Sequence, residues 1–387
     1  MSHAAAGRRP YCAVLVVPTG IGAAIGGYAG DALPVARAMA SVVDTLITHP
    51  NVMNGAQLYW PMANAHYVEG YGLDQFAAGR WGLRPVHRNR IGLVLDAAIE
   101  DDLRWRHLQA ADAARATLGL DLTDYVVTDA PLGVELRSAA SGATWGTIQR
   151  PDSLLRAAER AIAAGANAIA VVARFPEDTD AEALQVLQDY RQGQGVDPLA
   201  GAEAVISHLV VRQLRVPCAH APALSPLPLD TSISPKAAAE ELGYTFLPCV
   251  LAGLSRAPQF VVGPALGLFG GSSGGDSGGD SGGNSGATLW ADQVDAIVVP
   301  ASACGGSALL SLGRRALAIA VEANPTALAV SPESLGIPAV RVSSYLEAVG
   351  LLAAHRAGVH PQALTAQMPQ INELPAQGYL QVNPLGR

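Results

Sequence analysis

The chain offers one cysteine in a setting that could make it a nucleophile. Ser302-Ala303-Cys304-Gly305-Gly306-Ser307 follows an apolar, strand-like run and leads into a helical pattern. A thiol at a helix N-terminus can have its pKa lowered and attack as the thiolate. Such a nucleophile needs a base, and histidine titrates near neutrality. His49-Pro50-Asn51-Val52-Met53-Asn54 also follows a strand-like run, and His66-Tyr67-Val68-Glu69-Gly70 comes soon after it. The residues expected to carry chemistry are therefore Cys304, His49 and Glu69.

A ligand would be held by glycine-rich turns. Thr19-Gly20-Ile21-Gly22-Ala23-Ala24-Ile25-Gly26-Gly27-Tyr28-Ala29-Gly30 follows a strand and enters a helix. Successive amides in such a turn can form a concave anion site. The spacing Gly20-x-Gly22-x-x-Ile25 lacks the third glycine of the dinucleotide fingerprint, and no Gly-Lys-Ser/Thr triplet is present. Glu322-x-Asn324-Pro325-Thr326 follows another strand and could hold a hydroxyl or amine. The expected ligand contacts are Thr19, Gly20, Gly22, Gly26, Gly27, Asn51, Asn54, Ser302, Gly305, Gly306, Glu322 and Asn324. A metal site would draw on His49, His66, Glu69 or His220 of Cys218-Ala219-His220, but their spacing matches no strong metal motif, and no metal ligand or cofactor is assigned. Gly193-Gln194-Gly195-Val196-Asp197-Pro198 reads as a turn before a helix that bears Ser207 and His208.

Elements must bring these residues together. Tyr11–Val17, Thr45–Thr48, Arg90–Leu95, Tyr125–Thr128, Ala168–Ala173, Ala296–Pro300, Leu317–Val321 and Ala339–Val342 read as strands, several of them continuous apolar runs of the kind buried in parallel sheets. Helices are expected over Ala32–Val43, after Leu95 through Leu118, from Asp152 to Ala164, over Ala202–Leu214 and Gly305–Leu312, and from Ser344 to Gly358. Asn51–Tyr71 and the proline-rich Pro217–Pro228 read as ordered loops, and Phe269–Gly286 as a flexible linker. The alternation predicts an α/β fold: mostly parallel sheet with helices on both faces, in two Rossmann-like lobes. The predicted divisions are 8–175, an N-terminal α/β lobe; 176–268, a helical and proline-rich middle section; 269–287, a linker; and 288–387, a C-terminal α/β lobe. Val16-Val17-Pro18-Thr19 also echoes Val298-Val299-Pro300-Ala301, as if one strand–turn device were used twice.

Composition bounds the rest. Half of the 387 residues are apolar and only 15% are charged, so most of the chain should fold. A net charge of −8 argues against nucleic acid. Of 25 basic residues only Lys236 is lysine, leaving 25 − 1 = 24 arginines. The four cysteines, Cys12, Cys218, Cys249 and Cys304, are far apart and fit a reducing compartment. No apolar run reaches the roughly 20 residues of a membrane span, and the polar arm Met1–Pro10 lacks the core of a secretory signal. A cytoplasmic protein without a membrane partner, able to form homo-oligomers, is expected.

Val17–Asp31, Thr48–Asn54, Tyr67–Gly70, Arg191–His208, Cys218–Leu229 and Pro248–Arg256 resemble an uncharacterised family, domain of unknown function 3326, of cyanobacteria, other bacteria and some photosynthetic eukaryotes. The resemblance implies one family architecture along the chain and a cytoplasmic or stromal setting, and it transfers no catalytic residue. The expected function is that of a small-molecule enzyme of hydrolase, lyase or isomerase type, acting on an anionic metabolite such as a carboxylate, amide or phosphorylated compound. The alternatives are a metal-dependent hydrolase or lyase, a non-catalytic nucleotide or metabolite-binding protein, and an assembly protein.

Overall fold

The structure is a computed structural model that describes residues 9–54, 62–177, 181–241, 246–262, 288–368 and 370–371. The expected linker 269–287 and most of the N-terminal arm lie outside the described residues. The first strands and helices are β1 (Cys12–Leu15), α1 (Leu33–Ala40), β2 (Thr45–Thr48), α2 (Pro50–Met53), β3 (Ala65–Tyr67) and α3 (Gly70–Ala77). There follow β4 (Trp81–Arg84), β5 (Arg90–Leu95), α4 (Asp101–Leu118), β6 (Asp121–Leu122), β7 (Val126–Val127), β8 (Val134–Ser138), β9 (Thr144–Ile148), α5 (Pro151–Ala163) and β10 (Ala168–Arg174). Next come α6 (Ala181–Arg191), α7 (Ala200–Leu214), β11 (Cys218–Ala223), α8 (Pro235–Glu241), α9 (Leu247–Ser255) and β12 (Gln259–Val262). The chain closes with β13 (Val294–Pro300), α10 (Ser307–Leu312), β14 (Leu317–Val321), β15 (Ala339–Val342) and α11 (Tyr345–Ala357).

The fold is α/β. Six parallel strands form one sheet in the order β15-β14-β13-β1-β2-β3. Counted along its own strands the order is 3-2-1-4-5-6, so the winding reverses between β1 and β13, and ligands of open α/β sheets sit at such a switch point. A second parallel sheet runs β11-β10-β5-β6, with β7 also on β5. Two antiparallel pairs, β4 with β12 and β8 with β9, complete the described strands.

This connectivity corrects the expected divisions. Residues 8–175 and 288–387 do not form separate lobes, because Ala13, Val14 and Leu15 of β1 pair with Ala296, Ile297 and Val298 of β13. The segment from β4 to β12 is inserted between the two halves of the first sheet. The two echoing turns thus leave neighbouring strands at one sheet edge. The second sheet has its own strand order and does not repeat the first.

Alternation along the strands explains the layering. Ala13 and Leu15 pack into one core, and Cys12 and Val14 into another on the opposite face. In β10, Ala168, Ala170 and Val172 face the first core, and Ile169, Val171 and Ala173 face a third. Side chains of a strand alternate between faces, so both faces of each sheet are covered. The almost wholly buried α9 contributes Leu247, Val250, Leu251 and Leu254 to the core that the two sheets share. Two expected loops hold structure: Asn51–Tyr71, of which residues 55–61 are outside the described set, takes in most of α2, β3 and the start of α3, and β11 lies within Pro217–Pro228.

Candidate functional site

At the switch point the carboxyl ends of β1, β2 and β13 open onto a cavity of about 430 Å³, within the size range of small-molecule sites. Val16, His49 and Val299 bring those three strands to its wall, and Gly70 at the start of α3 joins them. The opposite wall is one face of α7. Ala200, Glu203, Ala204, Ser207 and His208 all line the cavity, and their spacing of 3, 4, 7 and 8 residues from the first keeps them on one helical stripe. His220 and Pro222 of β11 close the cavity beside them.

Two histidine–carboxylate pairs face this space. His208 Nδ1 pairs with Glu69 Oε1. Glu69 is 3% exposed and caps α3, its Oε2 accepting from Tyr71 N (2.8 Å) and Gly72 N (3.2 Å). Gly70 makes room for the imidazole, since a Cβ there would sit 2.9 Å from His208 Cε1. Burial works to lower the pKa of His208, but the hydrogen bond and charge of Glu69 outweigh burial and raise it. In the second pair His220 Nε2 is 3.6 Å from Glu203 Oε2, and His220 Nδ1 is 3.2 Å from Ser207 Oγ. Hydroxyl, imidazole and carboxylate in contact form the constellation that activates a hydroxyl. Ser207 is nevertheless 3% exposed and also donates to Ala204 O (3.4 Å).

Because the His208 pKa rises on folding, its stabilising contribution is fully present below the unfolded value of about 6.5 and is lost as pH rises through the folded value. His208→Gln should therefore destabilise most below pH ~6.5 and progressively less above it. Urea unfolding of both proteins across that window measures the difference. A gap that widens with rising pH would contradict the pairing.

The expected residues divide. Thr19, His49, Asn51, Asn54, Glu69, Gly305 and Gly306 line the cavity. Gly20, Gly22, Gly26, Gly27, Ser302, Cys304, Glu322 and Asn324 are not on its wall. Asn324 is fully buried and ties the glycine-rich loop to α11, accepting from Ile25 N and donating to Ile25 O and Tyr345 Oη, each at 2.8 Å. Glu322 pairs with Arg341 at the surface, and Ser302 Oγ bonds Thr326 Oγ1 at 2.9 Å. Asn54 Oδ1 accepts from Tyr67 Oη (2.9 Å), and Asn51 Nδ2 donates to Gly26 O (2.7 Å).

The later part of the glycine-rich loop is not an open anion cradle, whereas Gly22, Ala23 and Ala24 line a second cavity beside Lys236. Gly20, Gly22 and Gly26 do adopt positive φ. However, the amides of Ala24, Ile25 and Gly30 donate to Pro325 O, Asn324 Oδ1 and Asn51 O. Those of Gly26 and Ala29 donate to the carboxylates of Asp31 and Glu240. The chain's own acceptors occupy these donors.

Cys304 is likewise corrected. It is fully buried, its thiol lies against Pro300 O (3.6 Å) and Ala301 O (3.5 Å), and it packs in the core. Burial first, and then the charge of Glu333, pushes its pKa up to about 11. His49 is not its base: Nε2 of His49 accepts from Val17 N at 3.0 Å, and burial lowers its pKa to about 4. The ring is neutral and joins the exit of β1 to the exit of β2. Cys304→Ala should therefore keep full turnover and cost about 1 kcal/mol of stability. Loss of turnover in a folded Cys304→Ala protein would restore the thiol to the mechanism. Among the described residues no group of three or more His, Cys, Asp or Glu side chains is arranged to hold a metal ion, so His49, His66, Glu69 and His220 do not form one site.

Sequence reasoning missed Glu203, Asp197, Asp74 and Glu240, all on the cavity wall, and gave Ser207 and His208 no role. The signal was the stripe of polar residues at helical spacing in α7. Its meaning depends on Glu69 and His220, which lie on other elements.

A family model described as "Protein of unknown function (DUF3326)" matches residues 12–365. An uncharacterised lipoprotein of Synechococcus sp. is 61% identical over 358 residues, which is 92% of this chain and 94% of that protein. No solved structure matches the chain. Among the described residues no helix is long and apolar enough to cross a membrane.

Proposed function

Because the chain belongs to the DUF3326 family of proteins of unknown function, its activity must be read from its own cavity, and we propose that it is a small-molecule enzyme of hydrolase, lyase or isomerase type working by acid–base chemistry. The observation that carries this reading is the pair of histidine–carboxylate contacts, His208–Glu69 and His220–Glu203, facing one cavity at the switch point of the sheet. A carboxylate on one ring nitrogen fixes the imidazole, which leaves the other nitrogen of His208 for a substrate and sets that of His220 against Ser207 Oγ. His208, whose pKa is raised, is the proton donor. His220, beside Glu203 and touching Ser207, is the proton acceptor, acting through the Ser207 hydroxyl.

The test is turnover. The purified protein is incubated with the low-molecular-mass fraction of a bacterial extract, and mass spectrometry follows depletion and product formation. The wild type should consume at least one compound, and His220→Gln should slow that consumption by roughly 10²–10⁴-fold, the usual worth of a positioned base. Consumption unchanged in His220→Gln, or no consumption by the wild type, overturns the reading. Binding without consumption would make the protein a metabolite-binding module.

A cytoplasmic setting belongs to the same proposal. The Synechococcus relative carries the word lipoprotein in its name. In this chain Cys12 is the first of the four cysteines and the next is Cys218. Cys12 opens β1 in the middle of the six-stranded sheet and is 3% exposed. Acylating it would mean drawing the strand out of the core, which speaks against Cys12 as the attachment point of a lipid. The intact mass of the protein from its native host should carry no acyl group, and an acylated Cys12 would reverse this part.

A further inference from the structure

The charge on the cavity wall is one-sided. Glu69, Asp74, Asp197, Glu203 and Glu240 line it, and among the described residues no arginine or lysine does, although the chain holds 25 basic residues. Glu69 has His208 and Glu203 has His220, while Asp74 bonds Ser307 and feels the charge of His208. Asp197 and Glu240 have no such cation. Asp197 lies in the turn before α7, and its Oδ1 accepts from Leu199 N (2.8 Å). Glu240 on α8 accepts from Ala29 N (2.7 Å) and Tyr190 Oη (2.9 Å). All three carboxylates of this end come from different places: the turn, the first helical turn of α7, and α8.

We propose that the ligand of this cavity carries a protonated amine, received among Asp197, Glu203 and Glu240, on a small carbon skeleton. The inference rests on the reading of the cavity as an active site and names the class of compound it takes. It replaces the anionic group expected from the glycine-rich loop. Burial and mutual repulsion support it: Asp197 is pushed up to about 7, first by burial and then by the charge of Glu203. Burial, then the charge of Asp197, raises Glu240 well above the usual carboxylate range. Burial and repulsion hold Asp197 and Glu240 partly protonated, and an ammonium received beside them would favour their charged forms and release those protons. Leu73, Leu224, Phe246, Val299 and Leu309 give the same cavity an apolar wall, which suits a carbon skeleton better than a hydrated ion.

The experiment uses the full chain and four probes at matched ionic strength: 1,4-diaminobutane, 1,4-butanediol, butanedioate and magnesium chloride. Binding is read by calorimetry and thermal shift. The diamine alone should bind saturably in the millimolar range or tighter. Asp197→Asn and Glu240→Gln should each weaken it at least ~10-fold, the scale of one charged hydrogen bond. Both variants keep an oxygen for their amide donors and relieve repulsion, so their melting temperatures without probe should be unchanged or higher, which a merely structural role would not give. Equal binding of the diol, preferential binding of butanedioate or magnesium, or no saturable binding of the diamine overturns the proposal. The two readings fail separately. A consumed compound that lacks an amine and resists the His220→Gln enzyme sinks this inference and leaves the enzyme, whereas diamine binding with no turnover does the reverse.

Discussion

Glu69→Ala is expected to cost the protein about 1.5–4 kcal/mol of stability and nearly all of its activity. Glu69 serves two structures with one buried carboxylate. Its Oε2 satisfies the amides of Tyr71 and Gly72 at the start of α3, and losing a helix cap costs ~0.5–2 kcal/mol. Its Oε1 holds His208. Breaking a buried pair costs about 3–5 kcal/mol, and because the His208 side chain is 44% exposed, solvent screening reduces that share to roughly 1–2 kcal/mol. Glu69→Gln separates the two roles. An amide oxygen still accepts from the α3 amides, so most of the fold stability should return, while His208 loses the partner that raises its pKa. Urea unfolding and turnover of both variants check this. A fully active Glu69→Gln enzyme would remove the first pair from the mechanism.

Gly201→Ala is the second large effect. Gly201 lies in the first turn of α7, where the helix meets β9 with no side chain between them. A Cβ there would lie well inside contact distance of Thr144 O, Thr144 C and Trp145 Cα, all of them backbone atoms. Gly146 on β9 forms the other half of this seam, facing Ala202. Backbone yields less readily than a side-chain tip, so the helix must move, at about 3 kcal/mol or slightly more. The displaced helix carries Glu203, Ser207 and His208, so turnover should fall further than stability. Gly306→Ala is the matched control, since Gly306 lines the cavity and a Cβ there meets nothing within 4 Å. Its melting temperature should be unchanged. A Gly201→Ala protein as stable and active as that control would mean that the seam does not set the position of α7.

The strands were legible where a continuous apolar run is buried on both faces. Ala168–Ala173 and Leu317–Val321 read as apolar runs because parallel strands between helical layers need no polar face. β11 was not legible, because Pro222 sits inside it. The strand pairs only with β10, at the edge of its sheet, where proline is tolerated. The pairing of β1 with β13 joins residues some 280 positions apart, and only the brief echo of their turns hinted at it.

The site was harder to read than the fold for a physical reason. Cys304 sits in a sequence that suits a reactive thiol, but reactivity depends on exposure, and the thiol is fully buried. Glycines 20 to 30 suit an anion, but several amides of that loop are taken by acceptors that include Asn324 and Glu240, hundreds of residues away. Glu69, expected to carry chemistry, lines the cavity, while its partner His208 is brought to it only by the packing of α3 on α7.

The most direct test of the central claim is the structure of His220→Gln bound to the compound that the wild type consumes. The compound is expected in the cavity, between His208 and residue 220, with its amine at Asp197, Glu203 and Glu240. A ligand seated instead on the amides of residues 20–30, or against Cys304, would contradict the assignment.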